Sequence, residues 1–248
     1  MRKKHLLYLL FLPVAYYLTQ GERTKPEAPL QTKGNTVVSD FKEAKKLARE
    51  IYRDMPQTFY CGCRFEGNTV DFKSCGFAPL DDLKRARRVE WEHIVPASDF
   101  GRSFPAWRDG DPQCVTRKGK SYRGRNCARR VSETFRHMEA DLYNLVPAIG
   151  EINGKRGNAR MGLLPKLAPM FGTCATKIAD GVIEPREEVR GFIARTYKYM
   201  HASYPHHGII SRKNEKLFEA WDKMYPITED ESKRAERIAK IQGNRNRY

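Results

Sequence analysis

Apolar residues recur at three- and four-residue intervals in several parts of the chain, and this spacing predicts amphipathic helices. The first predicted helix covers residues 40–53, follows Ser39 as its capping residue and ends before Pro56. Two later stripes predict further helices, and we expect both to face the core. Their apolar members are Val189, Phe192, Ile193, Tyr197 and Met200 in one stripe and Leu217, Trp221 and Met224 in the other.

Three more helices are predicted in the second half of the chain. Thr228 and Glu231 have the spacing of a capping box, which predicts a final helix that runs to Gln242 and stops at Gly243. Residues 132–141 are predicted to be helical as well. Pro147 suits the first turn of another helix that would reach about residue 153.

The segments between these helices have a different pattern. Residues 57–80 mix aromatic and β-branched residues with Gly, Asn and Cys, which indicates short strands and turns. Residues 89–95 form a strand candidate that Pro96 would stop, and residues 99–130 lack apolar periodicity and are predicted to be a long loop. The simplest fold class is therefore a single helix-rich α+β domain.

The N-terminus has the organisation of an export signal. A basic start at residues 2–5 precedes an uncharged apolar run at 6–18, which is too short to span a bilayer. We predict a signal peptide at 1–21, a polar linker at 22–36 and a folded domain at 37–248. The protein is accordingly expected in the periplasm or outside the cell, with no stable membrane insertion after cleavage of the signal.

Charge then narrows the list of partners. The chain carries 46 Lys and Arg against 30 Asp and Glu, a formal net charge of +16, with 40% hydrophobic residues. This composition excludes a collagen-like, multi-span membrane or charge-dominated disordered chain. Only three Lys and Arg lie in the predicted signal, so the basic excess belongs to the folded part and favours an acidic partner, above all nucleic acid.

Six cysteines in an exported chain indicate disulfide bonds. The pairing cannot be read from their positions, although a local bridge between Cys114 and Cys127 is the best single prediction. The six are Cys61, Cys63, Cys75, Cys114, Cys127 and Cys174.

Two segments carry the residue types that hydrolysis of a phosphodiester requires. Glu90, Glu92 and His93 lie beside the end of the strand candidate at 89–95, and Asn153 lies in a second segment at 138–154. An imidazole can deprotonate an attacking water near neutral pH, and oxygen ligands such as a carboxylate and an amide suit Mg²⁺. Between these segments, residues 117–130 contain seven Lys and Arg that could neutralise phosphate. Residue types alone leave a solvated loop and a surface Glu–His pair as alternatives.

The ordered set of short motifs resembles the bacterial endonuclease I family, whose members are periplasmic or secreted nonspecific deoxyribonucleases with a ββα-metal active site. The motifs are EWEHIVPA at 90–97, RNC at 125–127, MEADL at 138–142, PAIGEING at 147–154, FYCGC at 59–63, SCG at 74–76 and RIAKIQGN at 237–244. Together they cover most of the chain from residue 59 to residue 244.

The resemblance implies a role for each matching residue. His93 would be the general base, Glu92 and Asn153 the metal ligands, and Arg125 the cation on the cleaved phosphate, with Arg123 and Arg129 as competitors for that role. It implies one Mg²⁺ ion, which Mn²⁺ or Ca²⁺ could replace, and double- or single-stranded DNA as substrate, with RNA as a further candidate. Cleavage would leave 5′-phosphate ends, and we expect a monomer. The backbone-binding residues are predicted to be Lys118, Lys120, Arg123, Arg129 and Arg130.

One geometric condition and two alternatives accompany this interpretation. Adjacent residues of a strand point to opposite faces, so Glu92 and His93 can share a site only where the strand ends, bends or bulges. Glu90 lies on the same face of the strand as Glu92 and could orient a metal ligand without binding the metal itself. The alternatives are an exported DNA-binding protein without activity and a secreted ribonuclease.

Overall fold

The structure, a computed structural model, describes residues 33–248. The predicted signal peptide and residues 22–32 of the predicted linker lie outside this range. The remaining linker residues are packed against the domain: Gly34 and Asn35 are buried, and the Asn35 backbone N–H donates to Tyr204 Oη at 2.8 Å. The Asn35 side chain also donates to the His137 carbonyl, at 2.9 Å.

Helices make up most of the regular structure. The first, α1, begins after Asp40 and not after Ser39 as predicted, because the Asp40 carboxylate accepts the Glu43 backbone N–H at 2.7 Å. The α-helices are α1 Phe41–Ile51, α2 Leu83–Ala86, α3 Ala97–Gly101, α4 Pro105–Arg108, α5 Arg125–Val131, α6 Glu133–Glu139, α7 Gly150–Arg156, α8 Arg190–Ser203, α9 Arg212–Met224 and α10 Glu229–Gln242.

The strands are short and form three small sheets. They are β1 Phe65–Glu66, β2 Thr69–Val70, β3 Val89–His93, β4 Leu145–Ile149, β5 Arg160–Met161, β6 Lys177–Ala179 and β7 Val182–Glu184. Strand β1 pairs antiparallel with β2, β3 pairs antiparallel with β4, and β7 lies between β5 and β6. The first pair confirms the short strands and turns predicted for residues 57–80.

The β3–β4 ladder and the helix that follows it form the centre of the molecule. Trp91 lies opposite Pro147, and His93 opposite Leu145, in an unbroken register. The prediction that Pro147 begins a helix is wrong: it lies within β4, and α7 starts at Gly150. Backbone bonds from Gly150 to Arg88 and from Ile94 to Asn144 mark the hydrogen-bonded pairs, so by alternation Pro147 occupies a position where the ladder needs no N–H.

The predicted 99–130 loop is also partly wrong, because it contains three short helices. Residues in α3 and α4 pack their aromatic rings on Phe135 of α6, with Phe100 at 5.7 Å and Trp107 at 5.8 Å between ring centroids. This cluster has no helical periodicity, since each helix contributes only one or two apolar residues. This part of the core forms where several short helices pack together, so no single helix shows the apolar pattern.

The C-terminal helices agree with the prediction, apart from one residue. Tyr197 and Phe218 stack at 4.3 Å between α8 and α9, and Ile238 of α10 is fully buried. Met224 is 66% exposed and does not join the core. Gly243 ends α10 in the left-handed region with φ of 71°, as its sequence position predicts.

Three disulfides join all six cysteines. The predicted Cys114–Cys127 bridge is confirmed, and the others are Cys61–Cys174 and Cys63–Cys75. The domain is therefore a helix-rich α+β fold with disulfide bonds, as predicted. No helix within residues 33–248 has the length and apolar character to cross a membrane.

Candidate active site

A cleft of about 430 Å³ opens beside the end of β3. It brings together Glu92, His93, Arg125 and Asn153, the four residues to which the sequence assigned chemistry. They come from β3, α5 and α7, and the walls between them are completed by Phe41, Arg85, Trp91, Pro96, Ala97, Ser98, Trp107, Gly154, Arg156, Gly157 and Asn158.

Glu92 and His93 reach this cleft from opposite faces of the ladder. Glu92 turns towards α7, where it meets Arg156, whereas the His93 ring stacks on Phe41 of α1 at 5.0 Å between centroids. The sheet has only two strands and β3 ends at His93, so a cleft at this end can be bordered from both faces. Both residues are paired in the regular β3–β4 ladder and leave it on opposite faces, without a bend or bulge, so they border one cleft only because β3 ends at His93.

A backbone carbonyl fixes the tautomer of His93. The Glu139 carbonyl can only accept a hydrogen bond, so His93 Nε2, 2.8 Å away, donates to it. In the neutral ring, Nδ1 is then the basic nitrogen. Burial, with the nearby Arg125 guanidinium as the next cause, lowers the pKa of His93 to about 4, so the ring is neutral at physiological pH.

Glu92 is a buried carboxylate held by a buried cation. Arg156 Nη1 donates to Glu92 Oε1 at 2.7 Å and to the His93 carbonyl at 2.6 Å, while its Nη2 donates to the Ile94 carbonyl at 2.7 Å. Burial raises the pKa of Glu92 to about 6, and Arg156 counteracts this rise. A single guanidinium thus ties the end of β3 to α7.

Asn153 lies one turn before Arg156 on α7, and Glu90 orients its side chain. Asn153 Nδ2 donates to Glu90 Oε2 at 3.0 Å, and Glu90 in turn accepts from Arg85 Nε and Nη2 at 2.9 and 2.8 Å. With its nitrogen committed to Glu90, the amide has Oδ1 left to act as an acceptor or a metal ligand. Glu90 therefore supports the site as its position suggested.

Arg125 is held at the cleft by Glu139, the residue whose carbonyl also binds His93. Arg125 Nε contacts Glu139 Oε1, and Arg129 donates to both carboxylate oxygens at 2.7 Å. The Arg125 guanidinium lies 5.3 Å from the centre of the Phe41 ring. Its Nη2 is buried without a hydrogen-bond partner among the described residues, a donor with no protein acceptor.

The competing arginines do not line the cleft. Arg129 is committed to Glu139, and Arg123 Nη1 donates to the Arg108 carbonyl at 3.1 Å. Lys118, Lys120 and Arg130 are exposed, the first two in the segment closed by the Cys114–Cys127 disulfide. The basic segment thus presents charge to solvent next to α5, while Arg125 alone of its arginines reaches the cleft.

The comparison with known families decides the family of the chain. A sequence profile described as Endonuclease I matches residues 28–248. The chain belongs to the endonuclease I family. The resemblance drawn from the short motifs is therefore confirmed, and with it the enzyme class, an endonuclease that hydrolyses phosphodiester bonds.

Several curated relatives of this family member cover most of its length. It is 38% identical over 218 residues to "Endonuclease-1" of Buchnera aphidicola subsp. Acyrthosiphon pisum, covering 85% of this chain and 80% of the relative. An "Extracellular deoxyribonuclease" of Aeromonas hydrophila is 38% identical, with 85% and 88% covered, and a "Periplasmic deoxyribonuclease" of the same species is 39% identical, with 84% of each chain covered.

Sequence reasoning missed two residues that organise this family member's site. Arg156 has no motif of its own, and its only signal is a position three residues after Asn153 on a short helix. Glu139 lies within the MEADL motif and is 1% exposed, but its contacts to His93 and Arg125 could not be read from spacing.

Proposed function

We propose that this endonuclease I family member is an exported, Mg²⁺-dependent endonuclease that cuts DNA without sequence preference and leaves 5′-phosphate ends. The single observation that carries the proposal is the shared cleft of Glu92, His93, Arg125 and Asn153. The cleft brings together a neutral imidazole, two oxygen atoms that can bind a metal ion, and a guanidinium. These are the groups that phosphodiester hydrolysis requires.

The donor chemistry of the cleft fits a magnesium ion. Within residues 33–248, no cluster of three or more His, Cys, Asp and Glu side chains could hold a metal, which argues against a zinc-type site. Mg²⁺ is held by few protein oxygens and keeps several waters. Glu92 and Asn153 Oδ1 would supply two such oxygens, and the strand pair β3–β4 followed by α7 would form the proposed ββα-metal motif. Mn²⁺ or Ca²⁺, which also accept oxygen ligands, would be substitutes.

In the proposed mechanism, His93 accepts the proton of the attacking water at Nδ1 while Nε2 remains bonded to the Glu139 carbonyl. Arg125, whose side chain is 37% exposed at the cleft, neutralises the phosphate oxygens as negative charge grows on them. The bound cation would supply electrostatic stabilisation of the leaving 3′ oxygen. Arg156 and Glu90 hold Glu92 and Asn153 in place throughout.

The surrounding charge supports binding to the nucleic-acid backbone. Lys118, Lys120, Arg123 and Arg130 are exposed, and contacts of this kind read phosphate and not base sequence. Arg129, whose side chain donates to the Glu139 carboxylate, would act by holding that carboxylate in place. Export is supported by the basic, apolar N-terminus, by the three disulfides and by relatives named periplasmic and extracellular. We expect the protein to act as a monomer.

A plasmid-nicking assay tests the function. Oxidised protein with Mg²⁺ is expected to convert supercoiled DNA to nicked and linear forms, and EDTA or His93→Ala to abolish the conversion. His201→Ala, which removes an exposed imidazole from α8, is the matched control and should cut normally. DNA that stays intact with wild-type protein and Mg²⁺ would favour a binding protein, and faster digestion of RNA than of DNA would favour a ribonuclease.

A further inference from the structure

A second cleft, of about 370 Å³, lies next to the candidate active site and has no role in the proposed mechanism. It is bordered by α1, by the β1–β2 hairpin and by β3, and its walls include Arg49, Tyr52, Arg53, Phe65 and Trp91. Trp91 also lines the active-site cleft, so the two clefts share a wall.

The walls of this cleft are suited to a flat, aromatic ligand. Tyr52, Phe65 and Trp91 are each partly exposed, and the Tyr52 and Trp91 rings are tilted against each other at 5.8 Å between centroids. Aromatic side chains that remain partly exposed in a groove are the usual platforms on which nucleic-acid bases stack. A nucleobase matches both the shape and the apolar character of such a platform.

The charge at the same cleft matches a phosphate backbone. Arg49 lies on the exposed face of α1, and Arg53, also exposed, follows two residues after the end of α1. Neither is tightly engaged: Arg53 is 3.9 Å from Glu50, and Arg49 Nη1 donates to the Lys45 carbonyl at 3.4 Å. Glu66, the one carboxylate that lines the cleft, lies on β1. The side of the cleft formed by α1 is therefore the side that attracts phosphate.

The register of β3 relates this cleft to the point of cleavage. Trp91 and His93 are two residues apart on β3. Trp91 contacts Tyr52, just after α1, and His93 contacts Phe41 of α1, so their side chains leave the strand on one face about 7 Å apart. Each nucleotide of duplex DNA advances about 3.4 Å along the helix axis, and successive phosphates lie farther apart than this along the strand itself. A strand whose phosphate lies at His93 would therefore bring a nearby nucleotide to Trp91.

We propose that this second cleft binds a nucleobase of the DNA strand being cut, one or two nucleotides from the cleaved phosphate. The base stacks on Trp91, and Arg49 and Arg53 bind the phosphates next to it. The assignment of the strand rests on the proposed nuclease function. Because a paired base would first have to leave its stack, the site favours single-stranded or distorted DNA over regular duplex.

Binding of two oligonucleotides with equal charge tests the stacking. The probes are a deoxythymidine oligomer of about eight nucleotides and an abasic oligomer of the same length, measured in EDTA so that neither is cut. Wild-type protein is expected to bind the thymidine oligomer about tenfold more tightly, within the range of one stacked base. Trp91→Leu should abolish this preference and Trp91→Phe retain part of it. Tyr248→Leu, which removes a partly exposed aromatic ring outside both clefts, should keep the preference.

The arginine pair has a matched control on α1. Arg49→Glu with Arg53→Glu is expected to weaken both probes alike, and more than Lys42→Glu with Lys46→Glu, which makes the same change of charge at exposed positions outside the cleft. Equal effects of the two pairs would overturn the assignment of the phosphates.

Equal affinity of wild-type protein for the two probes overturns the stacking site, whether or not Trp91→Leu folds. Retention of the full preference in a folded Trp91→Leu protein also overturns it. The nicking assay separates this inference from the proposed function. A protein that prefers the thymidine oligomer but leaves plasmid intact refutes the nuclease and not the stacking site.

Discussion

Replacement of Arg156 by Met should cost this protein a large part of its stability. Arg156 is 2% exposed and donates to the Glu92 carboxylate and to two backbone carbonyls of the β3 end. Methionine fills a similar volume but donates nothing, so a buried carboxylate and two buried carbonyls lose their partner. Breaking a buried ion pair from one side costs about 3–5 kcal/mol, and we expect about 4 kcal/mol at neutral pH.

The measurement is chemical and thermal unfolding of the oxidised protein. For a domain of this size, a loss of about 4 kcal/mol corresponds to a fall of roughly 8–16 °C in Tm. The matched control is Arg160→Met, which removes an exposed arginine just beyond α7 and should change stability by less than about 0.5 kcal/mol.

A double substitution separates the interaction energy of the ion pair from the other effects of the two single substitutions. Glu92→Leu with Arg156→Met removes both charges, so its cost should be smaller than the sum of the two single costs by at least about 1.5 kcal/mol. Additive costs, or a loss below about 1 kcal/mol in Arg156→Met alone, would refute the view that this contact holds the site together.

The pH dependence of that loss follows from the pKa of Glu92. The pKa is raised to about 6 in the folded protein, so Glu92 is charged at about pH 8 and largely protonated at about pH 5. A protonated carboxyl group is neutral, so the protein loses less stability when the Arg156 guanidinium is removed. The cost of Arg156→Met should therefore be smaller at about pH 5 than at about pH 8, by about 1 kcal/mol or more.

Three further predictions concern the site and the loop. Because burial lowers the pKa of His93 to about 4, the His93 ring should stay neutral down to about pH 5 in an NMR titration of the imidazole, and a midpoint near 6.5 in that titration would contradict this. Glu90→Gln should weaken the hold on the Asn153 amide and lower Mg²⁺ affinity about tenfold or more in titrations of the cleavage rate, whereas unchanged affinity would remove Glu90 from the site. Cys114→Ser with Cys127→Ser should lower the free energy of unfolding by about 3 kcal/mol, and unaltered urea unfolding would show that the bridge does not constrain the chain.

Long helices and short-range constraints were predictable because their signals are local. The stripe at Val189–Met200 and the capping box at Thr228 each act within a few turns of one helix, and both predictions are confirmed. The Cys114–Cys127 bridge closes a short loop and was predictable for the same reason.

The errors arise where the structure depends on contacts between distant segments. Pro147 has a sequence position suited to a helix start, but pairing with β3, more than fifty residues earlier, makes it part of a strand. The short helices α3 and α4 are stabilised by Phe135 and by no pattern of their own. Met224 continues an apolar stripe that its neighbours do not cover.

The candidate site shows the same division. The short motifs were sufficient to name Glu92, His93, Arg125 and Asn153, and the structure brings these four together in one cleft. Their roles stay predictions. The contacts that orient them, through Glu139 and the Arg156 guanidinium, join residues 46 and 64 positions apart and have no local signature.

The double use of Glu139 has a consequence for how this site can change over evolution. Its carbonyl holds His93 and its carboxylate holds Arg125 and Arg129, so one residue sets the spacing between the base and the phosphate cation. A substitution there would remove the carboxylate that holds Arg125 and Arg129 but leave the main-chain carbonyl that binds His93, so it would disturb the two arginines more directly than the base. We expect lineages that keep nuclease activity to inherit Glu139 and its partners as a block, while the exposed lysines of the neighbouring loop are free to drift.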